Sequence, residues 1–371
     1  MLNFKSWTFA APLSALLAFG TLSADAADAP ALSKKGKPDI QAVGPLAFGP
    51  TGVLFVGDPK SATLFAIGVS PTASVPAAAE IKLEGIDRTI SSLLGTAASE
   101  IVINDIAVQP GTGEVYISVT RGKGPDAQPA IVRVDGAGKV NEVPLDKVDY
   151  ASVSLKNAPA ADAKDKRGNS TRTESITDVA YSDGRVFVAG LSNEEFASKL
   201  RAIPFPFQEA TAGTSVEIYH GAHGAFETRS PIRTFVPFDI AGKPYILAAY
   251  TCTPLVKFPL NDLKPGEKVQ GITVAELGNR NKPLDLIVYQ KDGRSHLLLA
   301  NSARGVLKVS TDNIDKETPI KEKVKVETAG LHQETIANLK GVEQLDKLND
   351  KQAVILVKTD AGFNLESIPL P

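Results

Sequence analysis

Residues Ile103–Leu145 read INDIAVQPGTGEVYISVTRGKGPDAQPAIVRVDGAGKVNEVPL and predict four short β-strands. The runs INDIAV, EVYISV, AIVRVDG and KVNEVPL are rich in Val and Ile, and turns containing Gly, Pro or Asp separate them. Short β-branched runs bounded by such turns are typical of antiparallel strands. One four-stranded sheet cannot bury both of its faces alone, so this unit must be repeated or covered.

The rest of the chain supplies the repeats. Six first-strand runs, each followed by a tight turn and a second apolar strand, are Val43–Phe48, Ile103–Val108, Ile176–Tyr181, Thr234–Phe238, Pro283–Val288 and Gly341–Leu345. Radial repetition of short strands predicts an all-β fold, a six-bladed β-propeller of four-stranded antiparallel blades. A β-sandwich is the alternative, but it has no reason to repeat one turn pattern six times.

The last unit ends at Pro371 after three strands. We expect its missing outer strand to come from Lys37–Ala42, which would close the ring and remove an exposed sheet edge. Two insertions interrupt the repeats: Lys147–Ser175, a polar stretch that favours a mobile loop, and Leu191–Gly213, which contains a helix candidate at Asn193–Arg201.

The N-terminus has the features of a signal peptide covering residues 1–26: a lysine, an apolar middle and a small-residue end at Ala24-Asp25-Ala26. The mature chain, 27–371, is expected to be a single propeller domain that is periplasmic or secreted and has no membrane span. The net charge of −2, from 40 basic and 42 acidic residues, gives no electrostatic case for nucleic acid. The single Cys252 excludes an intrachain disulfide, and no C-x-x-C-H motif for covalent haem is present.

The starts of the first strands carry the chemistry. Aligned on the first-strand template, one position reads Pro45, Asp105, Asp178, Phe235, Asp285 and Glu343. First strands line a propeller channel, so Asp105, Asp178 and Asp285 are predicted to converge on a divalent cation such as Ca²⁺, which prefers oxygen ligands. The alternative is that each aspartate accepts backbone N–H groups and pins its own blade.

Polar residues in loops of the same face are predicted to bind a small anionic or hydroxylated ligand at the channel mouth. They are Asn104, Arg121, Asn193, Arg280, Asn301 and Arg304. The motif YHGAHG, with His220 and His223, falls on the hairpin between a third and a fourth strand. His-x-x-His without further ligands is a weak metal signal, so a surface turn on the opposite face is expected.

The units GPLAFGPTGVLFVGD and NDIAVQPGTGEVYISV resemble repeats of the six-bladed propeller superfamily that includes gluconolactonase-like, strictosidine-synthase-like and NHL-repeat proteins. The lactonase-like members hold a divalent cation with Asn, Asp and Glu side chains, a pattern that Asn104, Asp105, Asp178 and Asp285 match loosely. NHL-type members are mostly binding platforms. Three functions therefore stay open: a binding protein for a small ligand or partner protein at the channel mouth, a cation-dependent lactonase or esterase, and an accessory subunit of a periplasmic redox system. Whether the chain is an enzyme is left undecided.

Overall fold

A computed structural model describes residues 32–50, 52–70, 80–209, 211–252 and 254–371. The signal peptide predicted for residues 1–26 lies outside these ranges. The described residues form short 3₁₀ turns at Ala98–Glu100, Gly124–Asp126, Arg172–Glu174 and Leu260–Asp262, and one α-helix, α1 (Ile86–Leu94). Their first fourteen strands are β1 (Lys34–Gly36), β2 (Leu46–Phe48), β3 (Val53–Asp58), β4 (Thr63–Gly68), β5 (Lys82–Leu83), β6 (Ile101–Val108), β7 (Val115–Arg121), β8 (Gln128–Val134), β9 (Val140–Glu142), β10 (Val148–Ser154), β11 (Asp178–Ser182), β12 (Arg185–Leu191), β13 (Ser198–Pro204) and β14 (Thr214–His220). The others are β15 (Ala225–Glu227), β16 (Ile232–Ile240), β17 (Lys243–Tyr250), β18 (Pro254–Pro259), β19 (Lys268–Gln270), β20 (Ile272–Glu276), β21 (Pro283–Lys291), β22 (Arg294–Asn301), β23 (Gly305–Ser310), β24 (Ala329–Gly330), β25 (Gln333–Thr335), β26 (Val342–Lys347), β27 (Gln352–Thr359) and β28 (Gly362–Pro369).

The strands form six sheets, each a blade of one propeller, so the predicted fold is confirmed. We number the blades 1 to 6 by the chain order of their innermost strands, β2, β6, β11, β16, β21 and β26. From the axis outwards the blades are β2-β3-β4-β10-β1, β6-β7-β8-β9, β11-β12-β13-β14-β15, β16-β17-β18-β20-β24, β21-β22-β23-β25 and β26-β27-β28-β5. The short strand β19 runs parallel to β14 at the edge of blade 3.

The blades do not follow one another around the ring in chain order. Their innermost strands contact one another in the order β6, β2, β11, β16, β21, β26 and back to β6. Blade 1 therefore lies between blades 2 and 3, and blade 2 closes the ring against blade 6. The hydrophobic clusters agree, because one joins blades 1 and 3 and another joins blades 2 and 6.

Two blades are assembled from distant parts of the chain. After β4 the chain crosses to blade 6, where β5 pairs with β28 as its outermost strand. After β9 it returns to blade 1, where β10 pairs with β4. Between blade 2 and blade 3 the chain adds only the strand β10 to blade 1. The inner strands of blade 1, β2–β4, come from an earlier part of the chain.

These pairings correct two predictions. The ring is closed by Lys82–Leu83 and not by Lys37–Ala42, because β5 is the strand that pairs with β28. The nearby strand β1 instead extends the outer edge of blade 1 against β10. The stretch Lys147–Ser175 was expected to be a loop, but it begins with β10, whose residues Ala151 and Val153 are buried in the core between blades 1 and 3.

Blade 3 also differs from the prediction. The segment Asn193–Arg201 forms no helix; Ser198–Pro204 is the third strand, β13, paired along the whole of β12. The strand that contains His220 is therefore the fourth, and its hairpin leads to a fifth strand, β15. Burial of alternating side chains against blade 4 explains the outcome, since Leu200 is in the core shared with blade 4.

The helix α1 packs at the junction of blades 2 and 6. Its residues Ile86, Ile90 and Leu94 recur at helical spacing and enter the same core as the inner strands of blade 2. Gly95 ends the helix with φ of 66°, a left-handed conformation that glycine adopts without strain, and its N–H bonds back to Ser91 and Ser92. Among the described residues, none of the helices is both long enough and apolar enough to cross a membrane.

Candidate active site in the propeller channel

Four aspartates link the inner strands of neighbouring blades. Each accepts the N–H of the residue that follows it with one oxygen, and a backbone N–H of the next blade with the other. The second set of bonds is Asp105 to Leu46 at 2.7 Å, Asp178 to Phe235 at 2.7 Å, Asp285 to Leu345 at 2.8 Å and Asp346 to Val108 at 2.7 Å. The channel-facing edge of an innermost strand has no further strand to pair with, so these carboxylates satisfy donors that would otherwise lack a partner.

Three of these links join successive pairs of neighbouring blades around the ring. Asp105 joins blade 2 to blade 1, Asp178 joins blade 3 to blade 4, and Asp285 joins blade 5 to blade 6. The aspartates therefore alternate around the axis, one for each pair of blades. Asp346, which no sequence pattern singled out, adds a link from blade 6 to blade 2.

The sequence alignment of this position needs two corrections. In blades 2, 4, 5 and 6 the inner strand carries a bulge, and the residue directly after it occupies the aspartate position. In blade 4 that residue is Thr234 rather than Phe235, and in blade 6 it is Gln344 rather than Glu343. Glu343 lies within the bulge and forms a 3.3 Å ion pair with Lys358. A bulge shifts the register by one residue, which spacing alone cannot reveal.

We call the four aspartates that border the channel, Asp105, Asp178, Asp285 and Asp346, the aspartate layer. Their pKa values are raised, so their carboxyl groups resist ionisation. Burial raises the pKa of Asp178 to about 7 and that of Asp346 to about 6, against backbone hydrogen bonds that act in the opposite direction. Burial also holds the pKa of Asp105 well above its usual value, and the charge of Asp178 adds to this effect. For Asp285, burial acts first and the charge of Asp105 second. Removal from bulk water therefore contributes more to these shifts than repulsion between the carboxylates.

A cavity of about 640 Å³ begins at this layer and follows the channel. Asp105, Asp178 and Asp285 lie at one end, and Asp346 lies two residues further along its strand than their aligned position. The turn Pro110–Gly113 of blade 2 and Asn349 and Asp350 of blade 6 lie at the other end. The walls between are mostly apolar and include Phe48, Ala180, Tyr181, Val236 and Val288. The cavity therefore extends towards the turns between first and second strands. The ligand-binding residues predicted at the channel mouth lie on the opposite side of the aspartate layer.

None of the six residues that the sequence predicts to bind a ligand at the channel mouth lines this cavity. Asn104 donates to the carbonyl of Val43 and to Thr120, and Arg121 donates to the carbonyl of Leu94 at the end of α1. Asn301 is buried and pairs with Asn281 at 2.7 Å.

The other three predicted ligand-binding residues lie near the surface. Arg280 and Arg304 border a smaller hollow of about 340 Å³, where Arg304 pairs with Glu327. Asn193 is exposed in the loop between β12 and β13, where its N–H bonds to the carbonyl of Asn157. The structure thus places these residues around the face without gathering them into one site, and their role in ligand binding stays a prediction.

The predicted metal ligands border the channel together, but their oxygens are not drawn into one tight set. Within the described ranges, the one group of three or more candidate ligand atoms that all lie within 4.8 Å of one another is His220, His223 and Glu227. A cation at Asp105, Asp178 and Asp285 stays a prediction. His220 departs from the expected surface turn because it is 1% exposed, whereas His223 is half-exposed, as expected.

Comparison with known proteins gives a likeness in fold only. No protein-family model and no curated protein sequence matches the chain. Among solved structures, a Thermus thermophilus protein assigned as an oxidoreductase (glucose dehydrogenase) is 11% identical, with a TM-score of 0.35 over 90% of this chain and 99% of that one. The PQQ-bound aldose sugar dehydrogenase of Streptomyces coelicolor is 9% identical, with a TM-score of 0.34 over 92% of this chain and 99% of that one. Likeness at this level transfers neither activity nor cofactor to this chain.

Proposed function

We propose that this chain is an exported binding protein that holds a small molecule in the propeller channel, with a positively charged group of the ligand against the aspartate layer. The observation that carries the proposal is the 640 Å³ cavity, which four carboxyl groups border. Its volume lies within the range of about 300–1,000 Å³ that is common for small-molecule sites.

The charge of the cavity favours a cation. Among the described lining residues the basic side chain is Lys347, which already pairs with Asp350 at 2.7 Å. The charge of Lys347 favours ionisation of Asp346, but no basic side chain of the described lining acts on Asp105, Asp178 or Asp285. A ligand cation would supply the missing countercharge and favour the ionised form of these three. The apolar walls further along the channel suit an alkyl or aryl body.

Export rests on the N-terminal sequence. A charged start, an apolar run and the small-residue end at Ala24-Asp25-Ala26 support removal of residues 1–26 and a periplasmic or secreted location. A ligand-binding propeller in that compartment would meet its small molecule outside the cytoplasm.

A pair of variants at one lining position tests the channel. Ala180 borders the cavity and is half-buried, so Ala180→Phe would occupy volume that Ala180→Ser leaves open. We expect amines with apolar bodies to raise the melting temperature of the wild type and of Ala180→Ser but not of Ala180→Phe. Equal stabilisation of all three proteins would place the ligand elsewhere.

A divalent-cation-dependent hydrolase is the second candidate, and the same aspartate layer is the reason to keep it. Each carboxylate oxygen that accepts one backbone N–H retains a second lone pair, with which it could coordinate a cation. Carboxylate oxygens are ligands that Ca²⁺ prefers. Ca²⁺ titrated into metal-stripped wild type and Asp178→Asn separates the two candidates. Stabilisation of the wild type alone supports the cation site, and stabilisation of neither removes it.

A further inference from the structure

The hairpin between β14 and β15 gathers three metal-ligating side chains. The Nδ1 atoms of His220 and His223 lie 3.0 Å and 2.6 Å from the same oxygen of Glu227, Oε1. The two imidazole rings are 3.8 Å apart between centroids. We propose that this cluster binds a divalent transition metal such as Zn²⁺ through the two Nδ1 atoms and Glu227, with water completing the coordination.

The local backbone explains why the three side chains meet. The N–H groups of His223 and Gly224 both donate to the carbonyl of His220, which makes one helical turn. Residues three apart in such a turn project to the same side, so the two imidazoles face one another. Gly224 then adopts φ of 70°, which reverses the chain into β15 and returns Glu227 to the same place.

The hairpin is held from outside, so the cluster does not depend on the metal for its position. Gly221 donates to Glu276 Oε1 at 2.6 Å, and its carbonyl accepts the N–H of Val324 at 2.9 Å. Ile320 and Val324 leave no room for a side chain at Gly221. Ser230 donates to the second oxygen of Glu227 at 2.5 Å, which orients the carboxylate. Such supporting bonds to the ligands are typical of metal centres.

Two buried atoms beside the cluster have no hydrogen-bond partner among the described residues. Without metal, both Nδ1 atoms must donate to Glu227, which leaves Nε2 of His220 as a buried acceptor with no partner. Metal coordination through Nδ1 would move the proton of His220 to Nε2. Glu276, beside the same turn, has a buried oxygen, Oε2, that also lacks a partner. The proposal therefore rests on the convergence of the three ligand atoms of His220, His223 and Glu227, which all lie within 4.8 Å of one another.

The donor set determines the class of metal. Two imidazole nitrogens and one carboxylate suit Zn²⁺ and its neighbours, whereas Ca²⁺ requires a majority of oxygen ligands. His223 is 52% exposed, so the fourth position of a tetrahedral site opens to solvent. The site lies on the outer part of blade 3, and its residues are distinct from those that line the channel.

Cobalt provides the direct test, because tetrahedral Co²⁺ absorbs strongly in the visible range. Protein without a histidine tag would be stripped with EDTA, dialysed and titrated with Co²⁺ and then Zn²⁺. We expect one equivalent of Co²⁺ to bind with visible bands, Zn²⁺ to displace it, and excess Ca²⁺ to leave it in place. His223 is half-exposed, so His223→Gln should fold normally and bind Co²⁺ more than about tenfold more weakly.

His332→Gln is the matched control, since His332 is exposed and lies in another part of the chain. It should bind Co²⁺ as the wild type does. Absence of visible bands in the wild type would overturn the site. So would unchanged binding in His223→Gln, or loss of binding in Asp178→Asn, which would move the ion to the channel.

Discussion

Asp178 offers a test of the aspartate layer through the pH dependence of stability. In the folded protein burial raises its pKa to about 7, whereas an aspartate in an unfolded chain titrates near ~3.9. The folded state therefore binds more protons between these values, and the free energy of unfolding must fall as pH rises from about 4 to 7. At 1.36 kcal/mol per unit the limit is about 4 kcal/mol. Asp178 keeps some accessible surface on the channel, which reduces the effect to roughly 2 kcal/mol.

The substitution Asp178→Asn removes this titration. Its amide can accept only one of the two N–H groups that Asp178 accepts, from Val179 and Phe235, so it should cost about 1–3 kcal/mol at pH 5. At pH 8 the wild type has lost roughly 2 kcal/mol that the variant has not, so the difference between the two proteins should nearly vanish. Urea unfolding of both proteins at several pH values measures this difference.

Asp165→Asn is the control for that series. Asp165 is exposed in a turn, and hydrogen bonds from the side chain and backbone of Asn169 lower its pKa. A lowered pKa contributes stability above the unfolded value, so the cost of this variant should not shrink between pH 5 and pH 8. A cost of Asp178→Asn that stays constant or grows with pH would refute the raised pKa and the role of burial.

Two predictions test the blade order and the closure of the ring. Phe55 of blade 1 lies 4.9 Å from Phe205 of blade 3 between ring centroids, so a double-mutant cycle of alanine substitutions should show a coupling of about 0.5–1.5 kcal/mol; zero coupling would contradict the contact between these blades. Deleting residues 32–36 should change the melting temperature little, whereas Leu83→Pro should lower it by several degrees, because β5 and not β1 completes blade 6; the reverse ranking in thermal unfolding would restore closure by the N-terminus.

Local pattern was enough to predict the first and second strands of each blade, but it missed β10 and β13 and did not indicate which blades are neighbours. The second strands follow apolar runs after tight turns in all six blades, as in Val53–Asp58 and Gln352–Thr359, because a short apolar run bounded by turn residues is a local strand signal. Which blade each strand joins depends on pairing between residues far apart in the sequence. The swap of blades 1 and 2 therefore has no local signature. One signal existed: the alternating residues of β10 lie in a stretch that we expected to be a loop.

The candidate site was predicted in part for the same reason. Asp105, Asp178 and Asp285 could be found because they precede apolar runs at equivalent positions, and all three border the channel. Asp346 was missed because it does not align with the other three aspartates. In blade 6 the residue directly after the bulge is Gln344, and Asp346 lies two residues further along the strand. Ile320 and Val324 pack against Gly221, the residue after His220, and they come from a distant part of the chain, so the spacing of YHGAHG could not indicate this packing.

The central claim is that the channel binds a ligand with its positive group at the aspartate layer. The most direct measurement is the melting temperature of the wild type and Ala180→Phe with matched compounds: 2-phenylethylamine, 2-phenylethanol and phenylacetate. We expect the amine alone to stabilise the wild type, more at pH 8 than at pH 5 because the aspartates must ionise to attract it, and not to stabilise Ala180→Phe. Stabilisation by phenylacetate, or no stabilisation by amines of any size at millimolar concentration, would contradict the claim.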